Sequence, residues 1–470
     1  MKIKNFITAS AIALALTGFT ASAGNIDANA ASMAAKRFVS QHAAEQGKLM
    51  GPGSVSLKLA YTEPSAVEGN AYYVFNIQGG GWVIISGEDR AKQVLAYGEQ
   101  GSIDMNSMPV NMKGYMDRYK AQIETIQRFK GKTELMKAPQ RRTPVAPLLK
   151  SEGWSQHVPF YNQCPQYSGQ YSSVGCAGLG MAQILNYWEY PTDLPALGSY
   201  YNTAMYSYVP ALPASTLDYD KILDCYLVWT ESGSLAWADG VTDENKDEVA
   251  KLCRYAAQSC EMNFSPNGSG SNVTKQYKGF LKMGYTTNAK LLGIEAWQTR
   301  ETWNTWDYTN DQWVDSMYKQ LELHRPLPYS SEGFSSDGHT FVVDGFDAEG
   351  LFHVSWGWNG RGDGYFQFGA FNVTVAGEYM EFNESLFMVI DLIPYEGYVS
   401  PNDPNNQTAY DLGDVNMDGN INIADVTKLI GLVLSGVYEG YLEVGDMDGN
   451  GTLNIADVTK LISTVLRGTR

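Results

Sequence analysis

Positive charge is in short supply in this chain of 470 residues: 34 Lys and Arg stand against 51 Asp and Glu, a formal charge of −17. That balance opposes the attraction on which nucleic-acid and anionic-membrane binding depend, so neither partner is expected. Long apolar runs are also missing. Past the first two dozen residues, none approaches the ~18 to 20 residues a bilayer span takes. Cysteine is scarce and odd in number, five in all, at 164, 176, 225, 253 and 260 without regular spacing. This excludes a disulfide framework and leaves at least one thiol over. What is plentiful is packing material: 44% hydrophobic and 12% aromatic residues, including 30 Tyr and 11 Trp, argue for folded domains throughout. At about 100 to 200 residues per domain, the length suggests three or four units.

The opening stretch MKIKNFITASAIALALTGFTASAG has Lys2 and Lys4, a short apolar run and Ala21-Ser22-Ala23. This is the three-part pattern of a secretory signal over residues 1–23, cut after Ala23. The run is too short for a span, and no lipid-accepting Cys follows. The mature chain is therefore expected outside the cell or on its surface. There an unpaired thiol meets oxidants, so one that persists is either buried or reactive.

Residues 24–142 carry no Cys and read as a first α+β unit. A helix is predicted around Ser32 to Gln46, then two strands about the Gly79-Gly80-Gly81 turn, then a helix with Met112, Met116, Tyr119, Ile123 and Ile126 on one stripe. The basic, Pro-bearing stretch after it marks an exposed boundary, with cleavage expected near Lys137 to Thr143. Residues 143–396, rich in Trp, Tyr and Gly, are expected to form a two-lobed α+β domain. Residues 397–410 read as a linker.

From 411 to 470 there is a repeat. Ile-Ala-Asp-Val-Thr-Lys-Leu-Ile recurs at an offset of 32 residues, each copy preceded by oxygen-bearing side chains on alternate positions. In the first loop these are Asp414, Asn416, Asp418, Asn420, Asn422 and Asp425, with Gly419 at the sharp turn. In the second they are Asp446, Asp448, Asn450, Thr452, Asn454 and Asp457, with Gly451. Hard oxygen donors at loop positions 1, 3, 5, 7, 9 and 12 suit Ca²⁺, one ion per loop. With ten acids against four bases from residue 401 on, the unit repels itself without metal. Each loop runs into one helix (Val426, Leu429, Ile430, Val433; Val458, Leu461, Ile462, Val465). This half EF-hand pair resembles a type I dockerin, which implies a small all-α module and a cohesin-type receptor. Ile423-Ala424 and Ile455-Ala456 stand where dockerins often carry hydroxyl pairs.

Cys176 lies in YSSVGCAGLGMAQILNYW, between a turn-like lead and a helical run with Met181, Ile184, Leu185 and Trp188 on one face. A helix N-terminus and a neighbouring imidazolium both lower a thiol's pKa. By position Cys176 has the first; taken alone it fits a buried small residue equally well. Of five His, His42 falls in the first unit and His157 and His324 lie in loop contexts. His339 and His353 fall in DGHTFVVDGFDAEGLFHVSWGWNGRGDGYF, which reads as consecutive strands with turns at Asp347 to Gly350 and Asn359 to Gly364.

The order Gln156, Cys176, His339, Trp356 follows the papain-like plan. The segments LLKSEGWSQHVPFYNQCP, VGCAGLGMAQILNYWEYP, EMNFSPNGSGS, GHTFVVDGFDAEGLFHVSWGWNG and YYVFNIQGGGWVIISGEDR resemble the streptopain family of cysteine peptidases over about residues 30 to 395. The resemblance implies a papain-like peptidase domain behind an inhibitory pro-domain, needing no catalytic cofactor and acting on protein or peptide substrates. It makes Cys176 the nucleophile and His339 the general base. Gln156 becomes an oxyanion donor and Trp356 a shield over the imidazole. Gly338 and the Gly/Ser loop with Ser269 and Ser271 border the cleft. Where relatives often have Asn before Trp-Gly-Trp, this chain has Ser355, so Ser355 or a backbone carbonyl is left to orient His339. Two other readings stay open: an inactive papain-like binding protein, and a Cys-dependent acyltransferase or amidase.

Overall fold

A computed structural model describes residues 24–45, 51–128, 142–151, 153–230, 234–294, 303–304, 310–332, 338–368, 373–375, 378–380, 386–404, 412–416, 421–436 and 441–468. The signal segment and the basic stretch 129–141 lie outside the described residues. No helix among them is long and apolar enough to cross a membrane.

The first unit opens with the helix Ala28–Glu45, starting four residues before the predicted Ser32. The reason is Asp27, whose carboxylate accepts the Ala30 N–H at 2.8 Å and so caps the first turn. Strands Asn70–Ile77 and Trp82–Ser86 pair antiparallel about Gly79, Gly80 and Gly81, all at positive φ (+100°, +112°, +97°), as the turn requires. The helix Val110–Arg128 buries the predicted stripe of Met112, Met116, Tyr119, Ile123 and Ile126, with Tyr115 added.

That stripe does not close over the first unit alone. The strand Val94–Gly98 pairs with Gly364–Phe366, placing Tyr97 opposite Tyr365 and Ala96 opposite Phe366. A four-stranded sheet thereby continues into an eleven-stranded one, in the order Leu57–Pro64, Asn70–Ile77, Trp82–Ser86, Val94–Gly98, Gly364–Phe366, Phe352–Ser355, Gly338–Phe346, Leu327–Glu332, Leu386–Ile390, Lys290–Ile294, Trp303–Asn304. An exposed strand edge presents unpaired N–H and C=O groups, and here two edges satisfy each other. Across the seam Tyr115 donates to the Gln367 carbonyl at 3.1 Å and Tyr97 to the Asp347 carboxylate at 2.9 Å. The Tyr115 ring meets Phe341, Trp356, Phe366 and Phe368. Past the seam the chain re-enters at Arg142, which pairs with Glu322 at 2.7 Å and with Asp315, over the Tyr318 ring.

The helices Cys176–Trp188, Asp243–Ser259 and Val273–Lys282 form the other lobe of a papain-like α+β domain, with the first packed on the strand Gly338–Phe346. The expected linker needs correction at its start. Ser400 is fully buried, and its hydroxyl donates to the Tyr187 carbonyl; Tyr398 donates to Trp188 O at 2.8 Å and Asn402 to Tyr187 O at 3.1 Å. Asp403 meets His324 at 2.7 Å. The last carbonyls of a helix have no partner within it, and residues 398–402 supply one to Cys176–Trp188. We expect Ser400→Ala to lower unfolding stability by about 1 kcal/mol, read by urea denaturation, because it removes one of the two donors to the buried Tyr187 carbonyl. An unchanged midpoint would return this stretch to the status of a linker.

The C-terminal unit has its own core of Val415, Val426, Leu429, Leu432, Leu453, Val458 and Leu461, between the helices Ile423–Ser435 and Ile455–Gly468. Ile430 and Ile462, expected on the packed stripe, are more than a third exposed. They join Ile423 with Leu434, and Ile455 with Leu466, as two outward apolar ridges related by the repeat.

Candidate active site

Cys176 opens the helix Cys176–Trp188. The residue before it, Gly175, has φ +80°, and a Cβ there would lie 2.7 Å from the Met262 sulfur and 2.9 Å from the Ser269 carbonyl, so only glycine fits. The thiol looks across to the strand Gly338–Phe346, where the Thr340 N–H donates to Sγ at 3.5 Å. His339 is the residue before Thr340, opposite Ser331, and Gly338 begins the strand opposite Glu332. The helix start and the head of the His-bearing strand thus meet, although 163 positions separate Cys176 from His339.

Two walls flank the approach to Cys176. On one side the Gln156 carbonyl accepts the Val174 N–H at 3.1 Å, which ties Gln156 two residues from the thiol. On the other, Ser173 N–H donates to Ser265 O at 3.3 Å, and Ser269 N–H to the Ser173 hydroxyl at 2.9 Å. The Ser269 hydroxyl donates to Ser173 O at 2.7 Å and that of Ser271 to Cys260 O at 2.6 Å. Both hydroxyls fasten the loop 265–271 instead of facing the approach.

Trp356 is buried, 4.7 Å from the Phe341 ring centroid, with its indole N–H donating to Gly362 O at 3.0 Å and its backbone N–H to Asp363 at 2.9 Å. Ser355, one of the two groups considered for orienting His339, ends the strand Phe352–Ser355. It stands opposite Val342, three residues past His339, and its buried hydroxyl accepts from the Gln183 amide at 3.1 Å.

The first unit reaches the loop that begins at Trp356. Asn111 Nδ2 donates to Trp356 O at 2.8 Å, Tyr115 stacks beside the Trp356 ring, and Arg361 donates to Ser107 O at 3.1 Å. Although Cys176 as a residue keeps intermediate exposure, burial of its sulfur pushes the thiol above its ordinary pKa, while the N–H groups of Thr340, Ala177 and Cys176 itself pull it down. A raised pKa keeps the thiol protonated at neutral pH, where it is a poor nucleophile. Cys164 and Cys260, pushed to about 12 by burial, are inert at any ordinary pH, and Cys253 is raised by burial as well. All five thiols are unpaired.

Sequence reading passed over three groups at this site: Asn111, Arg361, and the buried pair of His353 and Asp344 at 2.7 Å. Asp344 also accepts the Leu149 N–H at 2.9 Å, bolting the start of the second unit to the sheet. The DG spacing around Asp344 was legible only as a strand.

In the second C-terminal loop the carboxylates of Asp446, Asp448 and Asp457 lie within 4.8 Å of one another, a set of hard oxygen donors that fits Ca²⁺. Backbone N–H groups, that of Gly451 foremost, hold Asp446 below the usual carboxylate range, and therefore charged. Asp457 is buried and accepts the N–H of Asp448 at 3.2 Å and of Asn454 at 2.9 Å. Asp425 does the same for Asn416 and Asn422, at 2.9 and 2.8 Å. Asp414 is buried beside it, while Asp418 and Asn420 lie outside the described residues. The Asn450 side-chain oxygen Oδ1 accepts from Thr452, both backbone N–H and hydroxyl. Asn422 and Asn454, at position 9, turn their side chains to cap the helices, accepting the N–H of Ala424 and Ala456, both at 2.8 Å.

Comparison with known proteins matches residues 154–366 to the peptidase C10 family, 23–123 to the Spi protease inhibitor family and 412–466 to the dockerin type I domain. Streptopain of Streptococcus pyogenes is 28% identical over 335 residues, covering 66% of this chain and 77% of that protein. The thiol protease/hemagglutinin PrtT of Porphyromonas gingivalis is 25% identical over 378 residues, 74% of this chain and 39% of that protein. In fold the chain is similar to a fragment of Prevotella intermedia prointerpain A, with TM-score 0.54 and 24% identity, covering 71% of this chain and 98% of the other.

Proposed function

From a chain that is a cysteine peptidase of the C10, or streptopain, family, with a Spi-type pro-domain before the enzyme and a type I dockerin behind it, we infer a secreted zymogen of an endopeptidase, tethered by its dockerin to a cohesin-bearing partner. Residues 24–142 are the inhibitory pro-domain, 143 to about 404 the peptidase and 411–470 the dockerin, which takes two Ca²⁺ ions.

Cys176 is the nucleophile. Its proton passes to His339, and the thiolate bonds to the scissile carbonyl carbon. Gln156 and the Cys176 N–H donate to the resulting oxyanion, each donor typically worth about 2.7 to 4 kcal/mol. As the C–N bond breaks, His339 passes the proton to the leaving amine. His339 then takes a proton from water, which hydrolyses the thioester. Trp356 keeps water off the imidazole. The observation that carries this reading is the Thr340 N–H on the Cys176 sulfur, which brings the head of the His339 strand onto the thiol. The Asn111, Tyr115 and Arg361 contacts support the zymogen, because they lie on the loop that flanks the same site.

Labelling tests both halves. At about pH 6 iodoacetamide should modify Cys176 quickly in the processed chain, where an imidazolium holds the thiolate, and slowly in the precursor, where burial keeps it protonated. Mass spectrometry of the peptide containing Cys176 reads the difference. Equal, slow labelling of both forms would favour the inactive binding protein. A processed chain that modifies casein without cutting it would favour the acyltransferase.

A further inference from the structure

Arg361 sits on the loop between Trp356 and Gly364. Its guanidinium lies 4.3 Å from the centroid of the Trp229 ring and donates to the Ser107 carbonyl at 3.1 Å; among the described residues no carboxylate reaches it. In a chain of net charge −17, such a cation at the edge of a cleft is conspicuous.

The platform beneath it is fixed. Trp229 ends the first strand of the hairpin Leu227–Trp229/Leu235–Trp237, and its indole N–H donates to Asn359 O at 3.0 Å. Asn359 N–H donates in turn to Trp154 O at 3.0 Å, and Trp358 bridges to Ser155, the neighbour of Gln156. The guanidinium is therefore braced on the segment that carries Gln156. Trp229 itself remains 42% exposed, leaving room beside the cation.

The one polar partner of the guanidinium is temporary. Ser107 belongs to a segment that also sets Asn111 on Trp356 O and Met112 against Gly362, where a Cβ would come within 2.6 Å of the Met112 sulfur. All of it departs with the pro-domain, after which Arg361 keeps its ring and loses its carbonyl. A neutral carbonyl satisfies one N–H of a guanidinium, whereas a carboxylate matches its fork and its charge.

Resting on the peptidase reading above, we propose that Arg361, braced on Trp229, is a specificity-determining residue of the mature enzyme: it binds an Asp or Glu side chain of the substrate on the leaving-group side of the scissile bond. That side follows from the chemistry. On the mechanism above the leaving amine takes its proton from His339, whose imidazole Trp356 shields, and Arg361 lies on the loop that begins at Trp356.

The test uses the full chain after self-processing and peptides identical except for Ala, Asp or Lys at each of the first three positions after the scissile bond. The wild type should prefer Asp to Ala about 5-fold or more in kcat/KM at one position. That ratio should fall to about 1 in Arg361→Ala and invert toward Lys in Arg361→Glu. Trp229→Phe should retain most of it and Trp229→Ala little, since the ring holds the cation in place. An Asp-to-Ala ratio equal in wild type and Arg361→Ala overturns the proposal, as does an acid preference confined to positions before the scissile bond. A wild type that cuts none of the peptides but carries labelled Cys176 fails the peptidase reading first.

Discussion

Cys176→Ala is expected to stay at full precursor length while the wild type shortens within the same expression culture, and to lose casein cleavage by at least about 10⁴-fold. The size of the loss follows from the role: without the sulfur there is no acyl intermediate, and the oxyanion donors retain only a small fraction of the rate. His339→Ala should lose about as much, and the double variant little more, because two groups that serve one step do not add. The fold should survive the first change. The Thr340 N–H reaches the Cys176 sulfur only at 3.5 Å, and the helix is anchored elsewhere by Leu179, Ile184 and Leu185 in the core. Two outcomes speak against the assignment: equal shortening of wild type and variant assigns maturation to another protease, and equal casein cleavage removes Cys176 from the chemistry.

Chelating calcium should unfold residues 412–468 while the peptidase keeps cutting. Among the described residues the unit's core cluster has seven buried apolar members, and three carboxylates converge within 4.8 Å in the second loop. Without a cation those charges repel, and so small a core has little to oppose them. Ion binding at a thousand times Kd contributes about 4 kcal/mol per site, enough to decide between folded and unfolded for a module of this size. Far-UV circular dichroism of the full chain should lose the helical signal of Ile423–Ser435 and Ile455–Gly468 in EDTA and regain it with Ca²⁺. Asp457→Ala should abolish the recovery of its own repeat, since Asp457 closes its loop through the N–H groups of Asp448 and Asn454. A spectrum indifferent to EDTA would show that the ions do not hold the module together.

The parts of this molecule legible in the sequence are those specified by short-range rules. The stripe of Met112, Met116, Tyr119, Ile123 and Ile126, the three-glycine turn, the helix opening at Cys176 and the strand opening at Gly338 each follow from periodicity or backbone sterics. So do the alternating oxygens of the C-terminal loops. What periodicity does not carry is the identity of the partner. The Met112 stripe announces a buried face but not that Phe341, Trp356 and Phe366 of a later segment complete it. The edge pairing of Tyr97 with Tyr365 leaves no mark in either strand. The partner of Ser355 was likewise not legible: strand register sets it opposite Val342, and its hydroxyl accepts from Gln183 of a distant helix. Residues 398–402 looked like a linker by composition. The same Ser, Pro and Asn that favour turns also supply the hydroxyl and amide that finish a neighbouring helix.

The seam between the strands Val94–Gly98 and Gly364–Phe366 bears on the timing of activation. A nick in the basic stretch before Arg142 breaks one covalent bond and leaves every cross-strand hydrogen bond and the Tyr115 aromatic nest untouched. On the zymogen reading proposed above, the excised piece would therefore stay docked as a non-covalent blocker. Activity would then begin when the blocker is itself degraded, and because the first freed enzyme molecules could do that work, turnover should rise after a lag that shortens as their number grows.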